Sequence, residues 1–499
     1  MTEATLYRSG RVYSPADPRA TALLVRDGSI AWVGPDAEAP AAEATVDLDG
    51  ALVTPAFVDA HVHSTDTGLA LSGLDLTGVR SAGELLDAVA AHAERLPAGA
   101  VVLGYGWDET TWADQRKPDP AALARAAGGR RAYLSQACIH SALCTPDLLA
   151  AARGMPGYDG SGWVRRDAHD AVRALALESI PAAQRTEAQR AALRTAAGLG
   201  IAAVHECGGP GTSSERDFTN LLALSGQGLP EVYGYWGELM AAAKAKELGA
   251  VGAGGDLYAD GALGSQTAHL SESYQDVDGC GHGYVTAEQV RDHLLDCAAY
   301  GVQGGFHAIG DAAIGTVLAG FAEVAGKLGV DRLREARHRV EHAEIMNKRL
   351  IAGFVEYGIV ASVQPAFDRL WGGESQMYAQ RLGVRRSLES NPLGAMHGVG
   401  VALAFGSDSP VTPLDPWGSV RAATHHFNPV QRMSVKAAFA AHTRGGWRAV
   451  HRDHEGVLAP GAPATFAVWS VDAFPTFDDD GPLPVCRRTV LRGQVLYET

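Results

Sequence analysis

Short apolar segments of strand character recur along most of this chain, and Ala- and Leu-rich helical stretches separate them. The segments are LVTPAFVDAHVH (52–63), IAAVHEC (201–207), EVYGYW (231–236), DLYADG (256–261), VQGGFHA (302–308), RHRVEHA (337–343), IVASVQPAF (359–367) and VALAFGSD (401–408). EQVRDHLLDCAAYG and NKRLIAGFVEYG typify the stretches between them. Eight strands alternating with helices predict a parallel sheet closed into a (β/α)8 TIM barrel. A doubly wound open sheet is the competing reading, but no GxGxxG opens a helix to support it.

The two ends of the chain read differently. ATALLV, SIAWVG and ATVDLDG near the start are short, β-rich and split by turn residues, and so are ATFAVWSVD and RRTVLRGQVLY near the end. Gly10-Arg-Val-Tyr and Gly493-Gln-Val-Leu look alike. Residues 1–51 and 456–499 are therefore expected to pair into one small β-sandwich, leaving 52–64 plus 196–455 for the barrel. About 135 residues separate the first barrel strand from the second. A structureless loop of that size is improbable. SAGELLDAVAAHAERL, AVVLGYGW and RAYLSQ supply helix-like and strand-like pieces, so 65–195 reads as an inserted subdomain. It leaves from the C-terminal end of the first strand and is expected over the barrel mouth.

The net charge of −15 argues against a nucleic-acid partner, which would want a basic face. No apolar run is long enough to span a bilayer, and MTEATLYRSG lacks a basic start followed by an apolar core. Cys138, Cys144, Cys207, Cys280, Cys297 and Cys486 form no CxxC pair and read as reduced thiols. The expectation is a cytoplasmic protein acting on a small molecule, with no nucleic-acid or membrane partner and with a homodimer left open.

His61-Val-His63 closes the first strand. Side chains at i and i+2 of a strand point the same way, so two imidazoles can grip one metal ion. Alone this is a weak signal among 18 histidines. Position adds weight, because barrel active sites lie at the C-terminal ends of the strands. His307 ends the fifth strand, His342 the sixth and Asp408 the eighth, so four strands bring metal-type side chains to one rim. His338 and His342 form an HxxxH, but on a strand they stand roughly 13 Å apart. Only His342 is expected to reach the site.

PAFVDAHVH, ADGALGSQTA, HAIGD, RVEHAEI and FGSDSPV together resemble the amidohydrolase superfamily, and more narrowly its YtcJ-like, N-substituted-formamide-deformylase-like branch. The resemblance runs nearly end to end. It implies one or two divalent metals that activate water against amides, esters or amidine-like C–N bonds. Many members carry a strand-four lysine that, once carboxylated, bridges two metals. Here Asp256 stands at that position. Aspartate is shorter by about 4 Å and is expected to miss the bridging point unless the backbone shifts. The resemblance then implies one ion per chain, with a second left open, held by His61, His63, His307 and Asp408. Zinc suits this imidazole-rich set, and manganese or iron would also fit. Asp256 and His342 are further metal or neighbouring residues, with His342 off the metal and assisting the water.

His140, His205, Trp107 and Gln364 are candidate substrate contacts, and Asp108, Trp112, Tyr258, Asp260 and Gln266 flank the same region in sequence. Each has a plainer reading, such as aromatic packing for Trp107 or a closed hydrogen bond for His205. The expected reaction is hydrolysis of an amide or related C–N bond, with Asp408 as general base and then acid, and His342 on the oxyanion side. Two rivals stand beside it. A deaminase would need a carboxylate after the fifth strand, where HAIGD offers only Asp311. A non-catalytic scaffold would be expected to have lost several of these donors.

Overall fold

The computed structural model describes residues 4–136, 141–477 and 481–499. Its largest sheet has eight strands, all parallel, each paired with its neighbour in chain order. They are β1 (Phe57–Val62), β2 (Ile201–Gly208), β3 (Glu231–Trp236), β4 (Gly252–Ala253), β5 (Gln303–Ala308), β6 (Arg339–His342), β7 (Val360–Val363) and β8 (Ala402–Phe405). Main-chain bonds close the seam between β8 and β1. Asp408 N donates to His61 O at 2.8 Å, and His63 N donates to Ser409 O at 2.9 Å. A Cβ at Gly406 would stand 2.5 Å from the His61 backbone nitrogen, so glycine permits this approach. The sheet is thus a (β/α)8 barrel, and its strands are buried almost throughout, as parallel strands covered by helices must be.

The surrounding helices follow ordinary local rules. Thr286 and Gln289 cap Ala287–Tyr300 reciprocally, which satisfies two otherwise orphaned backbone donors. Asn347 accepts from the backbone of Arg349 and Leu350 at the start of Lys348–Tyr357. That helix buries Leu350, Ile351, Phe354 and Tyr357 at helical spacing against the barrel core. Among the described residues no single helix is long and apolar enough to cross a membrane.

Two strand boundaries differ from the sequence reading. Leu52–Pro55 pairs with Phe466–Trp469 in a separate five-stranded sheet, so β1 begins only at Phe57. DLYADG is not a strand; β4 stops at Ala253. Gly254 and Gly255 follow and interrupt the ladder, which resumes only as a bridge between Tyr258 and His307. Gly255 has φ +75°, and a Cβ at Gly254 would lie 2.5 Å from the Cα of Gly305.

The five-stranded sheet joins Arg11–Val12 and Leu52–Pro55 to Phe466–Trp469, Cys486–Leu491 and Gln494–Glu498. A four-stranded sheet comes wholly from the first 50 residues. Tyr7, Leu23, Ile30, Val53, Phe466 and Val490 share one core between segments from both chain ends.

Residues 65–192 form a compact unit of their own. It contains a five-stranded sheet, and Trp107 and Trp112 lie in its core with Leu85, Val102 and Leu134. Trp107 is fully buried, and its indole donates to Leu134 O at 2.8 Å. The expectation of a substrate contact at Trp107 therefore gives way to aromatic packing with a satisfied indole N–H.

Candidate metal centre

The ends of β1, β5 and β6, with the segments after β4 and β8, bring His61, His63, Asp256, His307, His342 and Asp408 together. Asp408 Oδ1 lies 3.4 Å from His61 Nε2 and 3.2 Å from His63 Nε2. Asp256 lies 3.5 Å from His61 Nε2, 3.2 Å from His63 Nε2, 3.7 Å from His307 Nδ1 and 3.9 Å from His342 Nε2. Donor atoms of His61, His63 and Asp256 all fall within 4.8 Å of one another, as do those of His61, His342 and Asp408, and those of Asp256, His307 and His342. All but His63 are over nine-tenths buried.

This corrects the reading of Asp256. The short side chain was expected to fall short of the cluster, yet its carboxylate faces all four imidazoles. Gly254 and Gly255, where β4 ends, immediately precede it in the chain. His307 clusters with Asp256 and His342, and His342 takes part in two of the four groups that could hold an ion, the remaining one being His61, Cys207 and Glu341.

The imidazoles are aimed by what their other nitrogen meets. His61 Nδ1 donates to Glu341 Oε2 at 2.9 Å. His342 Nδ1 donates to Gln364 Oε1 at 2.9 Å. His307 Nε2 donates to Gly261 O at 3.1 Å. Each bond fixes the tautomer and turns the remaining lone pair toward the cluster. Three atoms are then left buried with no hydrogen-bond partner: His61 Nε2, His307 Nδ1 and Asp256 Oδ1. Such atoms are costly unless something else binds them. Nitrogen and carboxylate donors orphaned around one point fit a divalent cation.

Electrostatics point the same way. Burial alone would strip His61 and His63 of their protons. Asp256 and Asp408 reverse this and hold both well above the usual histidine range. Burial likewise opposes charge on Asp256 and Asp408, but the facing histidines keep both carboxyls well below their ordinary range. Protons on His61 and His63 thus balance the two carboxylates in the metal-free protein, and a divalent cation would take their place.

The other predicted residues divide. Gln364 is buried and orients His342. Asp260 accepts from the backbone of His269, Ile309 and Gly310 at 2.8–2.9 Å, which pins the loop after His307. Tyr258 is 38% exposed; its hydroxyl lies 3.3 Å from Asp256 Oδ2 and its ring centroid 4.8 Å from that of His307. His205 does not reach the rim. It is wholly buried inside the barrel with Nδ1 3.1 Å from the Arg339 guanidinium, because alternate residues of β2 face inward and its C-terminal neighbour Cys207, not His205, meets His61. Gln266 bonds Asp276 at 3.0 Å on the surface. Asp311 is spent on the backbone and hydroxyl of Ser271. His140 lies outside the described residues.

Sequence reasoning missed Arg339 and Glu341, which are completely buried and bonded to each other, with Glu341 also bonded to His61. The signal was present in RVEH, where two opposite charges alternate within a strand that must be buried on both faces.

A family model described as Amidohydrolase family matches residues 44–497. Protein LONG AFTER FAR-RED 3 of Arabidopsis thaliana is 28% identical over 96% of this chain and 89% of its own length. Putative amidohydrolase YtcJ of Bacillus subtilis is 27% identical over 99% of each chain. N-substituted formamide deformylase of Arthrobacter pascens is 24% identical over 83% of this chain and 82% of its own. The crystal structure of an uncharacterized metal-dependent hydrolase from Pyrococcus furiosus shares the fold, with a TM-score of 0.78 and 24% identity over 93% of this chain and 98% of that one. A family match over nearly the whole chain, on a barrel with metal-type donors gathered at its C-terminal rim, makes this protein a member of the amidohydrolase family.

Proposed function

We propose that the protein hydrolyses an amide or related C–N bond of a small molecule, at a centre that takes two divalent ions, most fittingly zinc. The observation that carries the two-ion reading is the placement of Asp256, whose carboxylate lies within 3.9 Å of all four imidazoles. A single tetrahedral ion needs only three or four protein donors. Six are gathered here, and Asp256 and His342 each belong to two of the groups whose donor atoms lie within 4.8 Å of one another, more than one ion would use. Imidazole and carboxylate donors suit zinc.

When bound, the ions lower the pKa of water and polarise the scissile carbonyl. The chain's own residues do the rest. Asp408, ionised beside His61 and His63, accepts a proton from the attacking water and returns it to the departing nitrogen. Tyr258 presents a phenol at the accessible edge of the cluster, where its hydroxyl can turn from Asp256 to a substrate oxygen. Gln364 holds the His342 ring in place. A C–N bond is favoured over an ester by the likeness to a relative named for acting on N-substituted formamides. Purified, metal-loaded protein should turn over members of a panel of N-formyl, N-acyl and cyclic amides faster than the matched esters. Turnover of the esters with none of the amides would overturn the bond assignment.

A further inference from the structure

Beneath the metal centre, the interior of the barrel holds an ion pair where branched apolar side chains are the rule. Arg339 and Glu341 alternate on β6 and both point inward, with no exposure to solvent. Arg339 Nε donates to Glu341 Oε1 at 2.5 Å and Nη2 to Oε2 at 2.9 Å. The guanidinium also reaches Ala60 O on β1 at 2.5 Å, Ser362 Oγ on β7 at 2.8 Å and His205 Nδ1 on β2 at 3.1 Å, and it lies 4.2 Å from the ring centroid of Tyr235 on β3. One buried group thus ties five strands together, counting its own.

A buried ion pair is poor value as packing. Desolvating two charges is expensive, and well-packed apolar residues of similar size often serve stability as well or better. The pair therefore calls for another explanation, and the bond beyond it supplies one. Glu341 Oε2 also accepts from His61 Nδ1 at 2.9 Å, while the opposite nitrogen of that ring is the unpartnered one in the cluster. The corresponding acceptors for His342 and His307 are a neutral amide and a backbone carbonyl. Of these three imidazoles only His61 is backed by a full negative charge, and only that charge is itself anchored by a cation.

We propose that Glu341, held in place by Arg339, is a positioning residue that fixes His61 as an Nε2 ligand and strengthens its bond to the metal. A carboxylate behind an imidazole orients the ring and raises its basicity toward the ion in front. Because Arg339 also grips Ala60 O, next to His61 in the chain, the same guanidinium sets the height of the ligand's backbone. The proposal rests on the reading of the rim as a metal centre and is independent of the substrate.

Two variants test it. Glu341→Gln keeps the acceptor oxygen and the shape but removes the charge. Arg339→Met with Glu341→Leu removes the pair together and leaves no unpaired buried charge. Zinc affinity is measured by competition with a chromophoric chelator, and the ligand field by the visible spectrum of the Co(II)-substituted protein. Folding is followed by circular dichroism. The expected result is a folded protein that binds zinc about 10–100-fold more weakly and has an altered Co(II) spectrum, with the double variant affected more than Glu341→Gln. Wild-type affinity together with a wild-type spectrum in either folded variant would overturn the proposal. So would failure of both to fold, which would make the pair a folding element. Wild-type protein that binds no zinc would instead remove the metal reading of the rim itself.

Discussion

His338 and His342 stand four residues apart at and just before the two ends of β6, and they meet opposite surroundings. His338 is buried, takes a hydrogen bond from Gly304 N at 2.8 Å on Nδ1 and packs edge-on against Phe321, with ring centroids 5.7 Å apart. Burial, with His293 nearby, pushes its pKa down to about 4. His342 has φ +69°, is turned by Gln364 and faces Asp256. The contrast extends to the two ends of the barrel. Near the strand starts Gln303 is fully engaged: it accepts from Tyr235 and donates to Arg337 O and Ala449 O, all at 2.7 Å. At the rim, orphaned donors collect, and His342, Ala343 and Asp408 sit in the left-handed region. Backbone strain of this kind costs about 1–3 kcal/mol per residue and persists where surrounding structure enforces it. The same residue type on the same strand is therefore structural at one end and chemical at the other.

The largest effects should come from the rim. His61→Ala or His63→Ala should lose bound metal and turnover together, since each removes a donor from the cluster. Full metal content and turnover in either variant would make the pair structural. Asp408→Asn keeps size and one ligand oxygen but cannot carry a proton. It should fold, retain much of its metal and lose ~10²–10⁴ in kcat. A stable, metal-loaded variant with near-normal kcat would remove Asp408 from the reaction.

Trp107→Ala should behave in the opposite way. It empties a core position of the unit 65–192 and should cost about 3–5 kcal/mol of that unit's stability in denaturant unfolding, with metal content unchanged. A raised KM without loss of stability would restore Trp107 as a substrate contact.

The smallest effect concerns pH and the structural histidines. Burial lowers both His338 and His442 to about 4, from an ordinary 6.5. In this range the unfolded chain takes up protons that the folded one refuses. Their contribution is complete above pH 6.5 and is lost as the pH falls toward 4, by about 1.4 kcal/mol per pH unit for each group. Urea unfolding of metal-free His338→Gln at pH 7 and pH 5 should show a shallower loss than wild type. Equal slopes would mean that His338 is not buried neutral.

Much of this division was legible in the sequence. His61, His63, His307, His342 and Asp408 could be placed because a strand that ends in a polar residue after an apolar run marks its C-terminal rim. Asp256 was legible as a candidate but its reach was not, because two glycines interrupt β4 just before it and periodicity alone cannot locate such a break. Trp107 failed for a different reason. An aromatic beside polar residues reads the same whether it lines a pocket or fills a core, and only burial separates the two. His205 was assigned to the rim by its place near a strand end, but the extra residues of β2 beyond it leave it one level lower, beside Arg339.

Whether Asp256 would serve two ions or one is read directly by counting metal. Protein equilibrated with zinc and freed of excess should carry about two ions per chain by elemental analysis. Asp256→Ala should fall below one while remaining folded. One ion per chain in the wild type, unchanged by Asp256→Ala, would return the centre to His61, His63, His307 and Asp408 around a single metal.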